Sequence, residues 1–560
     1  MLDNKNLLVT VFLSTAVLLG WQYFFENPRM EQLNQIKQEQ IQVQAKEQEK
    51  PQEIILDRSE VITSTSSNRV AINNGKLKGS INLQGFVIDD LSLLDYKETI
   101  DPESNNVVLL SPNNTKEGYF AEFGFVSDDE TIELPNAATI WKSDRNELHA
   151  NEAVTLTWKN QQGVAFNMIV SLDDNYMFTI KQLVLNNSHN PISISEYGLI
   201  NRKMEKVPES QSILHEGAIG SFKSILFEKS YKDLDASEAK QFDQNQKGDW
   251  LGITDKYWLS SIMPQGEFTT KIIKKATDTT NIFRVDYVSK PFSIMPGGST
   301  DDKVYFFAGA KNLKQLDQYA GDYQINLFDR AVDFGWFYFL TKPMFLAIQF
   351  LDMMSGNFGI AILLLTVAIK LIMFPLANKS FHSMNRMKAL TPELNKLKER
   401  YEDDKMQLNK ETMELYKKEG INPLSGCLPL ILQIPVFFSL YKVLFVTIEM
   451  RQAPFFGWIH DLSAPDPTTL FNLFGLIPWT PPSFLMIGAW PIIMAATMYI
   501  QQKLSPQPAD PVQAQVMKFL PLFFVFMFGS FPAGLVIYWA WNNILSVLQQ
   551  LMIDRKTIKI

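Results

Sequence analysis

Lys370 is the only charge in the most apolar stretch of the chain, residues 356–376, which contains no Asp or Glu. A lone cation within a transmembrane helix costs about 2.5–3.5 kcal/mol on insertion scales, so it needs compensation. The apolar runs at 424–447, 485–504, 516–531 and 533–553 also lack acidic residues, which excludes a salt bridge between spans. Water, a backbone carbonyl, a lipid headgroup or an acidic group on a partner remain. The chemistry this points to is attraction of an anionic segment, not bond making. The plainer alternative is a snorkelling lysine. Lys370 lies about eight residues, roughly 12 Å of helix rise, from the polar pair Asn378 and Lys379, and its stem reaches about half that way.

Covalent chemistry finds no footing elsewhere. The histidines at 149, 189, 215, 382 and 460 lack metal-ligand spacing, and no phosphate-binding glycine loop or nucleophile elbow is present. His460 beside Asp461 is an isolated adjacency and reads as loop structure. Cys427 is the only cysteine, so any domain outside the cytoplasm must rest on its own core. The expectation is no catalytic residue, no metal and no cofactor. A net charge of −8 argues against a direct nucleic-acid function, because phosphate binding favours a basic field.

The elements that must position Lys370 follow from hydropathy and punctuation. Residues 1–25 contain an apolar run after Lys5 with no small-residue cleavage site, and read as an uncleaved transmembrane anchor with Trp21 and Tyr23 at the outer interface. Residues 26–70, rich in Gln, Glu and Lys in their first half, read as a flexible tether. From 71 to 330, short alternating runs broken by Asn, Asp and Gly predict an antiparallel β-sandwich, with strands near 153–158, 164–172 and 176–185 and a hairpin turn at Asp173-Asp174-Asn175. Residues 331–355 predict an amphipathic helix lying in the outer interface. Transmembrane helices are expected at 356–378, 424–447, 485–504, 516–531 and 533–553, the last two separated at Pro532. A cytoplasmic helical hairpin fills 379–423, an outer loop 448–484, and a tail 554–560. Lys442, near the outer end of its span, reads as a snorkelling lysine.

Six spans place both termini on one side. Lys5, the basic residues of the hairpin, Lys503, Lys518, Arg555, Lys556 and Lys559 mark that side as cytoplasmic. The fold class expected is a polytopic α-helical membrane protein carrying an all-β sandwich outside the cytoplasm.

The last third carries specific motifs: Phe374-Pro375-Leu376, Asn422-Pro423-Leu424-Ser425-Gly426-Cys427-Leu428-Pro429, Gln433-Ile434-Pro435-Val436-Phe437, Arg451-Gln452-Ala453-Pro454-Phe455, Trp458-Ile459-His460-Asp461-Leu462-Ser463, and Phe531-Pro532-Ala533-Gly534-Leu535-Val536 with Tyr538. In these the chain resembles the YidC membrane-protein insertases of bacterial inner membranes, relatives of the organellar Oxa and Alb proteins. The resemblance implies six transmembrane helices, five of them forming an insertase core, and the periplasmic sandwich of the Gram-negative branch. It further implies a hydrophilic groove open to cytoplasm and lipid, with one basic residue in the second span. Lys370 holds that position where the family usually has Arg, so the charge is kept and the planar fork is lost. Thr366 and Gln433 match polar groove positions, and Tyr538 matches a substrate-contacting aromatic. A guest helix would slide against Phe437 and Phe438 into lipid.

Implied partners are nascent membrane proteins, membrane lipids, the Sec translocon with its accessory subunits, and the ribosome and signal-recognition targeting factors at the cytoplasmic hairpin. The implied activity is insertion and chaperoning of inner-membrane proteins, not enzymatic catalysis. Plainer readings stand beside these assignments: Gln433 as interhelical glue, and Tyr538 with Trp539 and Trp541 as packing or belt aromatics. An unpaired cation in a bundle would equally suit a secondary transporter or channel for an anionic solute, although no second half resembling the first is present.

Overall fold

Alternation at period two builds the β-domain. In the strand Val164–Leu172, residues Val164, Phe166, Met168, Val170 and Leu172 all turn inward. The computed structural model describes residues 55–557 apart from 208–213, 235–239, 243–246, 278, 402–403, 422–427, 480, 483–485 and 505–510. The expected anchor at 1–25, most of the 26–70 tether and the motif residues Asn422 to Cys427 lie outside them.

Two sheets face each other. One runs Lys240–Phe242, Phe268–Ala276, Asn281–Ser289, Ile192–Met204, Tyr119–Val126, Val87–Lys97, Leu77–Asn82, Arg69–Asn73, Glu147–His149 in spatial order. The other runs Ile225–Ser230, Gly217–Phe222, Trp250–Thr254, Trp258–Pro264, Ser299–Ala310, Met177–Asn186, Val164–Leu172, Ala153–Lys159, Lys142–Ser143. Their inner faces meet through aromatic side chains: Phe123 of the first sheet lies edge-on to Phe306 of the second at 5.7 Å, and Phe125 lies 5.0 Å from Phe166. The expected hairpin forms because Asp173 Oδ1 accepts the backbone N–H groups of Asn175 and Met177, at 2.9 and 3.0 Å. Ordered structure begins before residue 71: helix α1, Arg58–Ser64, buries Val61 within the stretch expected to be tether, and the first strand starts at Arg69.

The chain leaves the β-domain through α2, Leu313–Asp322, and enters α3, Tyr338–Ser355. This second helix turns Phe345 and Ile348 inward and leaves Phe339, Phe350, Met353 and Met354 exposed. Helix α4, Phe358–Ala389, is continuous through Pro375, so the expected boundary at 378 is not a helix end. Asn357 caps it, its side chain accepting the Ile360 N–H at 3.1 Å. The hairpin follows as α5, Thr391–Arg400, and α6, Lys405–Lys418, with Asp404 capping the second. The remaining helices are α7, Leu428–Val446; α8, Ala489–Leu504; α9, Pro511–Phe528; and α10, Ala533–Thr557. Among the described residues, α4 is the one helix long and apolar enough by composition to cross a bilayer, and Gln433–Val446 and Gln515–Phe528 are shorter apolar stretches. The helical core therefore stands without an exact count of six spans.

The β-domain and the helices share a polar seam. Arg451 donates to the carbonyls of Lys97 and Glu98, at 2.5 and 3.2 Å, and lies 5.5 Å from the ring of Trp258. The ammonium of Lys256 sits 3.7 Å over the ring of Phe445, and burial lowers its pKa to about 8. Lys442 corrects the snorkelling expectation: its Nζ lies 3.0 Å from Asp333 Oδ2, which also accepts the His215 backbone N–H at 2.9 Å. A carboxylate held between α2 and α3 by the His215 N–H competes successfully with headgroups because it needs no further ordering.

Candidate functional site

Lys370 lies about 18 Å along α4 from its start at Phe358, beyond the midpoint of a bilayer core about 30 Å thick. Its half-buried ammonium donates to Ser546 Oγ on α10 at 2.7 Å. Among the described residues no carboxylate stands within ion-pair distance of it. Ser546 in turn donates to the Asn542 carbonyl at 2.8 Å, so one hydroxyl links the cation to the backbone of α10. One level outward, Trp541 Nε1 donates to the Leu363 carbonyl at 3.3 Å. The two contacts advance together along both chains, so α4 and α10 lie side by side and parallel.

Ser546 belongs to a stripe that sequence reading missed. Asn542, Ser546 and Gln549 recur at helical spacing on one face of α10, with Asn543 and Gln550 beside them. Asn543 donates to Thr497 Oγ1 of α8 at 3.1 Å, and Gln550 to the Leu504 carbonyl at 2.7 Å. Asn542 Oδ1 and Gln549 Nε2 are buried without a hydrogen-bond partner among the described residues. An apolar bundle gains nothing from such groups, since each unmet polar atom costs about 1–3 kcal/mol. The spacing of 542, 546 and 549 was the available signal, muted because uncharged amides pass a hydropathy window.

The other expected residues divide into two groups. Gln433 of α7 donates to the hydroxyl of Tyr538 on α10, and Tyr538 is 2% exposed. Phe437 packs into an aromatic cluster joining α7, α9 and α10, edge-on to Trp539 at 4.8 Å and to Phe528 at 6.4 Å. Phe438, its neighbour, lies edge-on to Phe437 at 5.7 Å and is 46% exposed. Thr366 is 2% exposed, and its hydroxyl donates to the Ile362 carbonyl of its own helix at 2.7 Å. Lys370, Ser546, Gln433 and Tyr538 are thus linked through α10, whereas Thr366 is folded back on α4.

Sequence comparison assigns both halves. The family described as "60Kd inner membrane protein" matches residues 350–559, and the "YidC periplasmic domain" family matches residues 69–347. Membrane protein insertases YidC of Rickettsia bellii and Rickettsia felis are 51% and 50% identical over 98% of this chain, covering 98% and 99% of their own lengths. The chain belongs to the YidC family of membrane protein insertases. A crystal structure of an active YidC insertase with its first transmembrane domain resolved covers 86% of this chain and 92% of its own, at 18% identity and a TM-score of 0.36. Membership rests on the sequence matches. The family is one of inner-membrane proteins with a periplasmic domain, which assigns the β-sandwich to the periplasm. The relatives are named insertases rather than enzymes, and the solute-transport reading of Lys370 is left without support.

Proposed function

We propose that this chain inserts and helps fold inner-membrane proteins through a polar groove bounded by α4, α7 and α10, with Lys370 as its central cation. The single observation that carries the reading is the engagement of Lys370 by a neutral serine hydroxyl, with no carboxylate nearby among the described residues. A charge held this way is available: an acidic flank of a guest can replace Ser546 at the ammonium and gain a charge-assisted bond. The unmet Asn542 Oδ1 and Gln549 Nε2 favour water or a hydrated chain beside it. Gln433 and Tyr538 hold α7 against α10, Phe437 packs α7 against α9 and α10, and Thr366, folded back on α4, adds no charge to the wall. Exposed Phe438 offers the guest's apolar helix a way out, and burial of apolar surface in lipid drives release at about 25 cal/mol per Å². No nucleotide is required.

In this scheme both termini face the cytoplasm, 1–25 is a separate anchor, and the five spans at 356–378, 424–447, 485–504, 516–531 and 533–553 enclose the route. The α5–α6 hairpin receives nascent membrane proteins from ribosome and targeting factors, and the Sec translocon shares part of the work. A photoreactive residue placed at Phe438 should crosslink the apolar helix of a stalled guest, and one placed at Phe523, exposed on α9, should not. Equal crosslinking at both would show that the guest approaches from lipid without using this route.

A further inference from the structure

We infer that Glu449 is a positioning residue for insertion: clasped by Asn312 and the first turn of α2, it fixes the outer end of α7 to the periplasmic domain. This rests on the reading that α7, through Gln433 and Phe437, forms one wall of the guest route.

Glu449 lies in a short 3₁₀ turn, Ile448–Met450, just beyond α7. Its Oε1 accepts from Asn312 Nδ2 at 2.9 Å, across 137 residues of chain, and the Leu313 N–H also supports the carboxylate. Asn312 works in both directions, because its Oδ1 caps α2 by accepting the Gln315 N–H at 3.1 Å. The carboxylate therefore sits at the positive end of α2 and completes the cap from another domain. Among the described residues, Glu449 Oε2 is buried without a hydrogen-bond partner.

Two further contacts pin the same helix end. Lys442 meets Asp333, and Phe445 lies under Lys256. Around them residues 440–446 of α7 are buried apart from Lys442 itself. A helix held so firmly at one end carries that constraint along its axis, and Phe437 and Gln433 lie one to three turns inward.

The clasp is also proton-linked. Burial raises Glu449 from the ordinary 4.5 to about 7. The docked state thus takes up a proton that the undocked state releases. Docking is tightest below about pH 4.5 and weakens as pH rises through 7. Facing groups are the phenol of Tyr96 on the strand Val87–Lys97 and, on its own segment, Arg451, which turns to the carbonyls of Lys97 and Glu98. A shift of this size tightens docking roughly thirtyfold between pH 8 and pH 5.5.

The test uses the full chain in nanodiscs. Hydrogen exchange of residues 312–318, corrected for intrinsic rates, reads docking, and insertion of a neutral guest reads function. Glu449→Gln keeps an acceptor for Asn312, so protection and insertion should match or exceed wild type with a flat pH profile. Glu449→Ala and Asn312→Ala should each lose protection at least tenfold and lower insertion. Unchanged protection in Glu449→Ala would overturn the clasp. Lost protection with normal insertion in both alanine variants would overturn the positioning role. Lys370→Glu, run in parallel with an acidic guest, reports on the groove alone, so failure there leaves the exchange result standing.

Discussion

Replacing Lys370 separates charge from packing, because Lys370→Met keeps the stem and removes the ammonium. Losing the cation lifts an insertion cost of about 2.5–3.5 kcal/mol. Losing its charged hydrogen bond to Ser546 costs back about 1.5–3 kcal/mol. The fold should therefore be unchanged or stabilised by about 1 kcal/mol. For a guest the balance is different. A carboxylate held about 5 Å from the ammonium gains roughly 3 kcal/mol at an effective dielectric of 20, and under 1 kcal/mol in bulk water. The half-buried site lies between these limits, so Lys370→Met should lower insertion of an acidic-flanked guest by about five- to a hundredfold. Lys370→Arg keeps the charge and adds a fork, and should match or exceed wild type. Lys370→Glu turns attraction into repulsion and should be worst. The assay is insertion into proteoliposomes, scored by protease protection, with two guests that differ only by Asp→Asn changes in the translocated flank. The neutral guest should respond little to any of the three variants. Equal losses for both guests, or wild-type yields from Lys370→Met with both, would refute the electrostatic role.

Two structural predictions accompany it. A Cβ at Gly359 would fall 2.0 Å from Phe455 Cδ2, so Gly359→Ala forces the 451–455 segment off the start of α4. It should lower stability by about 1–3 kcal/mol, and an unchanged melting temperature in detergent would contradict the packing. Asp333→Ala removes the carboxylate that Lys442 and the His215 N–H share, and should cost about 3 kcal/mol. Adding Lys442→Met should recover more than 1 kcal/mol of that loss, and strict additivity would mean the pair is uncoupled.

What could be read directly from the chain was what depends on neighbours in sequence. Strand positions followed from alternation, as in Val164–Leu172, because each side chain's face is set by its own backbone pleat. The Asp173 turn followed from a side chain reaching backbone groups two and four residues away. The isolation of Lys370 was legible because it is a statement about composition: the apolar runs contain no acid. Gln433 and Tyr538 were both named from sequence, yet nothing there said that they touch.

Pairings across the bundle were decided by packing. Ser546 meets Lys370 because Trp541 and Leu363 set the register of α10 on α4, a relation spanning 176 residues that no local period encodes. Thr366 shares the sequence spacing of a groove residue, but burial left its hydroxyl no better acceptor than the Ile362 carbonyl. Lys442 had the composition of a snorkelling residue until folding brought Asp333 to it across 109 residues. Sequence alone determined which groups needed partners, since charge and polarity are properties of the residues. Tertiary structure decided which partner each one found, since that depends on which surfaces the hydrophobic packing of distant elements brings within about 3 Å.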